Sequence, residues 1–415
     1  SIDTDEEWLN LLTLAQYTSF GVPVVTPRLA NKTLDKDAPG GGRSFTPAML
    51  RRLVLECLGM GVGHIGLVQW TTDLPDGLWH LKDTSAETEA ARLFEALRRS
   101  APILAGMGRL QPRAGLYVSD AAWRGPGWDP RWTAFFQDAV AAQWNLALVG
   151  DAMLGAELPR RVPVLVSLEN TIVSRDAADS LREYLGAGGR LYAWGAFAQK
   201  DESGQALALD AGELDTRVTL LNFPASEEAR VLVNQASTAG GAHTERQEYR
   251  PVPVRAVETA ILRDFPETTL RPIKAVVADR PSADIRPEDR RLTLLPLTDG
   301  TTVATVLINL TDAALSIKLT APGSVAPTVP WQFLDLLGGT AAPDGNGAVR
   351  LTLEPRGATL VWMFPETDMG AAQQAAAEAE AAVARWRELG ADCAFRDALL
   401  AECRDAQARG LFPKA

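Results

Sequence analysis

The chain has 415 residues, of which 46% are hydrophobic and 22% charged, and it carries a formal net charge of −11. At roughly 100 to 200 residues per domain this supports two to four hydrophobic cores, which excludes a mainly disordered, fibrous or collagen-like chain. An isoelectric point near 5.0 and a mean hydropathy of −0.05 fit a mixed α and β protein whose mean field repels nucleic acid.

Taken in chain order, residues 5–17 place Trp8, Leu11, Leu12 and Ala15 on one helical face behind an acidic first turn, and residues 22–26 form a short apolar run that predicts a buried strand. Residues 27–44, with Gly40-Gly41-Gly42, are too long and polar for a simple connection and suggest a functional loop. Thr46-Pro47 opens a helix through Met49, Leu53, Leu55 and Leu58, and Gly61 to Gly63 stops it near Met60. Residues 64–70 read as a second buried strand, followed by a loop with Asp73, Asp76, Gly77 and Trp79 and a helix over residues 85–99. After Pro112 the alternation resumes, with strands predicted at residues 115–119, 145–149, 162–167 and 190–194 and helices at 130–143 and from Ser174 to Leu185. Each of these strands is a continuous apolar run, the pattern of a doubly wound sheet covered on both faces.

From about Val252 the pattern changes to short strands at residues 302–310, 316–319, 349–353 and 358–363, separated by Gly and Pro turns, which predicts an antiparallel β-sandwich. Residues 371–389 and 395–409, rich in Ala and Glu around Gly390, predict a tail of two helices. The expected divisions are 1–110, 111–250, 251–365 and 366–415.

Several chemistries are absent from this pattern. The cysteines Cys57, Cys393 and Cys403 form no CxxC, and His64, His80 and His243 lie outside metal-ligand spacing, so neither zinc nor another cofactor is expected. Apolar runs stay short of the roughly 18 to 20 residues that span a bilayer, and residues 3–17 lack the basic start and apolar stretch of a signal peptide. A soluble protein is expected; the compartment is left open, with the cytoplasm as default. The pairs Arg51-Arg52, Arg98-Arg99 and Arg160-Arg161 are isolated and read as solvated positions, so no nucleic-acid partner is expected. Gly186-Ala-Gly-Gly189 precedes a strand, whereas a phosphate cradle must open a helix. Cys57 falls in mid-helix, which does not suit a nucleophile, and no Gly-x-Ser-x-Gly elbow occurs.

Paired carboxylates remain. Glycoside hydrolysis needs two carboxyl groups roughly 5 to 9.5 Å apart across one sugar. Asp73 and Asp76 follow a strand and are flanked by Trp70 and Trp79, whose indoles suit sugar faces, although an Asx turn with aromatic packing gives the same pattern. Glu169 also follows a strand, but with Asn170 beside it a polar loop role is the plainer reading.

The order of these segments resembles the β-galactosidases of glycoside hydrolase family 42. Residues 22–26 resemble barrel strand seven, Gly63-His-Ile-Gly-Leu-Val-Gln-Trp70 strand eight, and residues 85–102 the closing helix. Arg113-Ala-Gly-Leu-Tyr-Val-Ser-Asp120, and the stretch from Val162 through the Ser174-led helix to Tyr192, resemble that family's flavodoxin-like or amidotransferase-like trimerisation domain. Val306-Leu-Ile-Asn-Leu-Thr-Asp312, Phe333-Leu-Asp-Leu-Leu-Gly-Gly339 and Leu353-Glu-Pro-Arg-Gly-Ala-Thr-Leu-Val361 resemble its closing sandwich. The resemblance implies the last βα units of a (β/α)8 barrel, a doubly wound domain, a β-sandwich and a helical tail outside it. It also implies a carbohydrate ligand bound by Trp70, Asp73, Asp76, Trp79 and Arg28, and a homo-oligomer, such as a trimer, or a second chain that completes the barrel.

Two departures limit the inference. The family's acid/base follows strand four, and this sequence starts to resemble the barrel only around helix six. Its nucleophile is a Glu after strand seven, where this chain has Val25-Thr26-Pro27-Arg28 and no carboxylate before Asp35. Neither Thr nor Arg can form a glycosyl ester. The expectations are therefore a glycoside hydrolase-like protein completed by other polypeptide, or a catalytically inactive carbohydrate-binding or assembly protein of the same architecture.

Overall fold

The computed structural model describes residues 14, 24–25, 47–62, 64–65, 84–124, 130–207, 217–227, 229–238, 241–266, 270–277, 292–320, 331–338, 342–343, 348–388, 401 and 404. Near the N-terminus, β1 (Val24–Val25) and β2 (His64–Ile65) pair in parallel, and α1 (Pro47–Gly59) lies between them in sequence. The side chains of Leu50, Arg52, Leu53, Val54, Leu55, Glu56 and Cys57 on α1 are all buried. A helix with so little solvated surface must have neighbours on several sides. α2 (Thr84–Leu104) covers one of them.

The chain then forms β3 (Gly108–Arg109), β4 (Ala114–Tyr117), α3 (Asp120–Arg124), α4 (Pro130–Ala141), β5 (Leu146–Val149), α5 (Leu158–Arg161), β6 (Val164–Leu168), α6 (Arg175–Gly186), β7 (Arg190–Trp194) and β8 (Val218–Leu221). Five of these strands make an all-parallel sheet in the order β5-β4-β6-β7-β8. Numbered by appearance, that is 2-1-3-4-5, one of the two common doubly wound orders. Alternate residues feed two cores: Leu116, Val164, Val166 and Tyr192 face one, and Tyr117, Val149, Leu165 and Leu191 the other. Burial of both faces is why these strands are apolar without alternation. Ser174 caps α6 by accepting the Ala177 N–H at 3.2 Å, the role its position predicts.

A hairpin of β9 (Arg230–Thr238) and β10 (Gly241–Tyr249) and the helix α7 (Val254–Asp264) follow. Then come β11 (Lys274–Val277), β12 (Leu292–Thr298), β13 (Val303–Asn309), β14 (Leu315–Thr320), β15 (Trp331–Asp335), β16 (Ala342–Pro343), β17 (Ala348–Leu353), β18 (Ala358–Pro365) and α8 (Glu366–Glu388). They build a four-stranded sheet, β11-β14-β17-β16, and a five-stranded sheet, β15-β18-β13-β12-β3. Leu307, Val361 and Met363 of the second sheet share a core with Ile317, Leu319 and Val349 of the first. The opposite face, with Leu295, Val306, Leu360 and Trp362, packs under α1. The result is three layers, and it explains the sequence: β13 is buried throughout because both its faces are covered, whereas β14 alternates because one face meets water. At Gly59 helix and sheet approach closely, since a Cβ there would stand 2.6 Å from Leu295 Cβ.

The parallel sheet and the sandwich are stitched together at the α4–β5 turn. Gln143 holds a left-handed backbone, φ +68°. Its side-chain amide donates to the Ala275 carbonyl at 2.6 Å and accepts the Ala275 N–H at 3.0 Å. Arg109 donates to the Leu146 carbonyl at 2.7 Å, and the Asn145 side chain donates to the Leu110 carbonyl at 2.8 Å.

Several expectations are corrected. Arg52 is not solvated, being 3% exposed and paired with Glu56 along α1, and Arg51 is half-buried, donating to Glu89 of α2 at 2.6 Å. A helix buried between layers carries its charges inward, where they must be paired. α2 runs five residues past the expected end at Arg99, through Pro102, because Ile103 is anchored in the core. The segment after Val252 opens with α7, not a strand; Val254, Val257 and Ile261 supply its buried stripe. The hairpin β9–β10 was not anticipated. The first helical segment, the long loop at residues 27–44 and most of the second tail helix fall outside the described residues.

Candidate functional site

The five residues expected to meet sugar, Arg28, Trp70, Asp73, Asp76 and Trp79, lie outside the described residues. What the structure gives is the frame that carries them. Because β1 and β2 are parallel and adjacent, with Val25 opposite Ile65, their carboxyl ends lie side by side. Arg28 follows β1, and Trp70 to Trp79 follow β2. Ligands of parallel α/β sheets and barrels gather at that end of the strands.

The described residues contain a second polar constellation, at the carboxyl edge of the five-stranded parallel sheet. Glu169, directly after β6, holds a left-handed backbone with φ +49°. Its Oε2 accepts the Ala196 N–H at 3.0 Å and its Oε1 accepts from Arg131 Nη1 at 3.2 Å. The Arg131 guanidinium lies 5.4 Å from the centre of the Trp194 ring, and the neighbouring Trp132 indole donates to the Leu168 carbonyl. Sequence reasoning placed Glu169 in a polar loop. The backbone geometry and the partner on α4 were invisible to it, because neither leaves a local signal.

The crevice where a doubly wound sheet usually receives a ligand lies between β4 and β6, where the strand order reverses. Here Asn170 fills it. Asn170 is fully buried, accepts the Ser119 N–H at 3.2 Å, and donates to the Tyr117 carbonyl at 2.7 Å and to Ser167 Oγ at 2.8 Å. Asp151 accepts from the Tyr117 hydroxyl at 2.8 Å and the Asp120 N–H at 3.1 Å; burial and that carboxylate push the Tyr117 phenol well above its ordinary range. Asp201 is held down to about 2 by the Ser203 hydroxyl first, and by the Gln205 N–H and Arg175. At this edge these polar groups bind one another and tie the strand ends together.

Cys57 is buried in α1, and burial, aided by the charge of Glu56, pushes its thiol up to about 12, so it stays protonated and is no nucleophile. Among the described residues no group of three or more His, Cys, Asp and Glu side chains is placed to hold a metal ion, and no helix is long and apolar enough to cross a membrane.

Solved structures share this fold. A β-galactosidase of glycoside hydrolase family 42 from G. stearothermophilus matches with a TM-score of 0.55 at 11% identity, over 87% of this chain and 57% of that one. The β-galactosidase of Bacillus circulans sp. alkalophilus matches with a TM-score of 0.57 at 10% identity, over 86% and 58% of the two chains. The cold-adapted β-galactosidase of Rahnella sp. R3 gives 0.52 at 14% identity, over 86% and 57%. The chain thus has a family 42-like, glycoside hydrolase-like fold and spans somewhat more than half the length of these enzymes. No protein-family profile matches the sequence, and no curated protein does.

Proposed function

We propose that this chain is the trailing part of a glycoside hydrolase-like protein that acts on carbohydrate. The observation that carries the proposal is the fold shared with family 42 β-galactosidases over most of the chain. In this reading residues 1–110 supply the last βα units of a (β/α)8 barrel, 111–250 an amidotransferase-like domain, 251–365 the sandwich and 366–415 a helical tail. The two parallel strands among the described residues cannot close a barrel, so in this reading further strands, from polypeptide upstream or on a second chain, would complete it. Trp70, Asp73, Asp76, Trp79 and Arg28 would then line the sugar site. The proton-transfer groups would come from the completing portion. Homo-oligomerisation, as a trimer, belongs to the same proposal and is read by light scattering.

A second reading keeps the architecture without catalysis, as a carbohydrate-binding or assembly protein. It is favoured by Val25-Thr26-Pro27-Arg28, where the resemblance calls for a nucleophilic Glu. One assay separates the two. Release of nitrophenol from a panel of nitrophenyl glycosides by the native assembly is the expected result. Sugar binding without release would leave the second reading, and neither binding nor release would overturn both.

A further inference from the structure

A groove of about 400 Å³ runs between α2 and the turn that follows β15. Its floor is apolar and small: Ala96 on the helix side, and Leu336, Leu337 and Gly338 on the turn. Its charged groups are not equivalent. Glu95 is spent, accepting from Arg98 at 2.7 and 2.9 Å and from Arg99 Nε at 2.6 Å. Those two arginines hold its carboxyl down at about 2, so it stays ionised and bound. Asp335 Oδ1 accepts the Leu337 N–H at 2.9 Å and the Thr359 hydroxyl at 2.8 Å, neutral donors that fix the carboxylate on the turn without cancelling its charge. Arg92 has no protein partner among the described residues, and Arg99 gives only its Nε to Glu95.

Arg92 and Arg99 are seven residues apart on one helix, hence on one face and about 10 Å apart along the axis. Two guanidinium groups with unused donors at either end of a concave floor match a ligand that carries separated anionic groups. A volume of about 400 Å³ is that of a small-molecule site. A stable protein partner needs roughly 800 Å² of contact on each side.

We propose that this groove is an accessory site for an acidic oligosaccharide, bearing carboxylate or sulfate groups, outside the barrel loops. The choice of a sugar rests on the carbohydrate reading above; the anionic character rests on the two arginines alone. The test uses the full chain in calorimetric titration with a tetrasaccharide of galacturonic acid, its neutral galactose counterpart and a short poly-glutamate peptide. Expected are binding of the acidic sugar that weakens steeply with added salt, and a loss on the order of tenfold for each of Arg92→Ala and Arg99→Ala. Both side chains sit at the surface, so an unchanged melting curve separates lost binding from lost folding. The proposal is overturned if the double variant binds as well as the parent, if the neutral sugar binds equally, if poly-glutamate binds as tightly, or if nothing binds. Turnover of neutral nitrophenyl glycosides reads the barrel loops separately, so either reading can fail without the other.

Discussion

Glu169 and Gly195 meet at the ends of β6 and β7 with left-handed backbones, φ +49° and +75°. A Cβ on residue 195 would lie 2.4 Å from Glu169 Cδ, so only glycine admits the carboxylate that bonds Ala196 and Arg131. The substitution Gly195→Ala is expected to cost about 2 to 4 kcal/mol in urea unfolding, from backbone strain and overpacking together. Combined with Glu169→Ala, the loss is expected to be smaller than the sum, because the clash is removed with the side chain. Additive losses would show that the two residues are not coupled. Asp201 gives a second test. Its carboxyl drops from an ordinary 3.8 to about 2 in the folded chain. A lowered folded value adds stability that is present above the unfolded value and is lost as the pH falls from about 4 to about 2. Asp201→Asn is expected to flatten that acid limb in pH-dependent melting and to leave its shape near neutrality unchanged.

At the scale of elements, the α4–β5 turn and β11 are joined by the two hydrogen bonds between the Gln143 amide and the Ala275 backbone. Gln143→Ala leaves a buried N–H and C=O unpaired and is expected to cost about 2 kcal/mol, with faster hydrogen exchange at Ala275. Gln143→Gly relieves the left-handed backbone but not the lost bonds, so it is expected to be destabilising too. Exchange at Ala275 unchanged in both variants would contradict the stitch. Little of this was legible. The Ser174 cap is written locally, in an oxygen three residues before the N–H it accepts. Gln143 and Ala275 stand 132 residues apart, and no pattern around either names the other. The helix α7 was missed for a related reason: its three buried positions follow a run of prolines at Pro251 and Pro253 that reads as loop.

For the whole molecule, α1 follows β1 in the chain and packs on the sandwich, with a close approach at Gly59. Gly59→Val would drive its methyls into Leu295 and Val306, and is expected to lower the melting temperature and to open the α1 region to protease. Because α1 and the sandwich sheet β15-β18-β13-β12-β3 share one core, that variant is expected to lose α1 and the sandwich in one transition. Two separated transitions would show that the regions fold independently. The same layering explains why the arginine pair at Arg51-Arg52 was misjudged as solvated: the covering sheet arrives from some 250 residues downstream.

The sequence by itself determined the class of each segment. Apolar runs, alternating runs and Gly or Pro stops are short-range consequences of how one strand or helix meets water. They placed four of the five strands of the parallel sheet, four of the nine strands of the sandwich and the resemblance to family 42 enzymes. Only the tertiary structure decided which carboxylates are engaged, that Asn170 fills the crevice between β4 and β6, and that α1 is enclosed. Those outcomes depend on distances between residues remote in the chain. Electrostatics and packing act through space, and a linear pattern records neither.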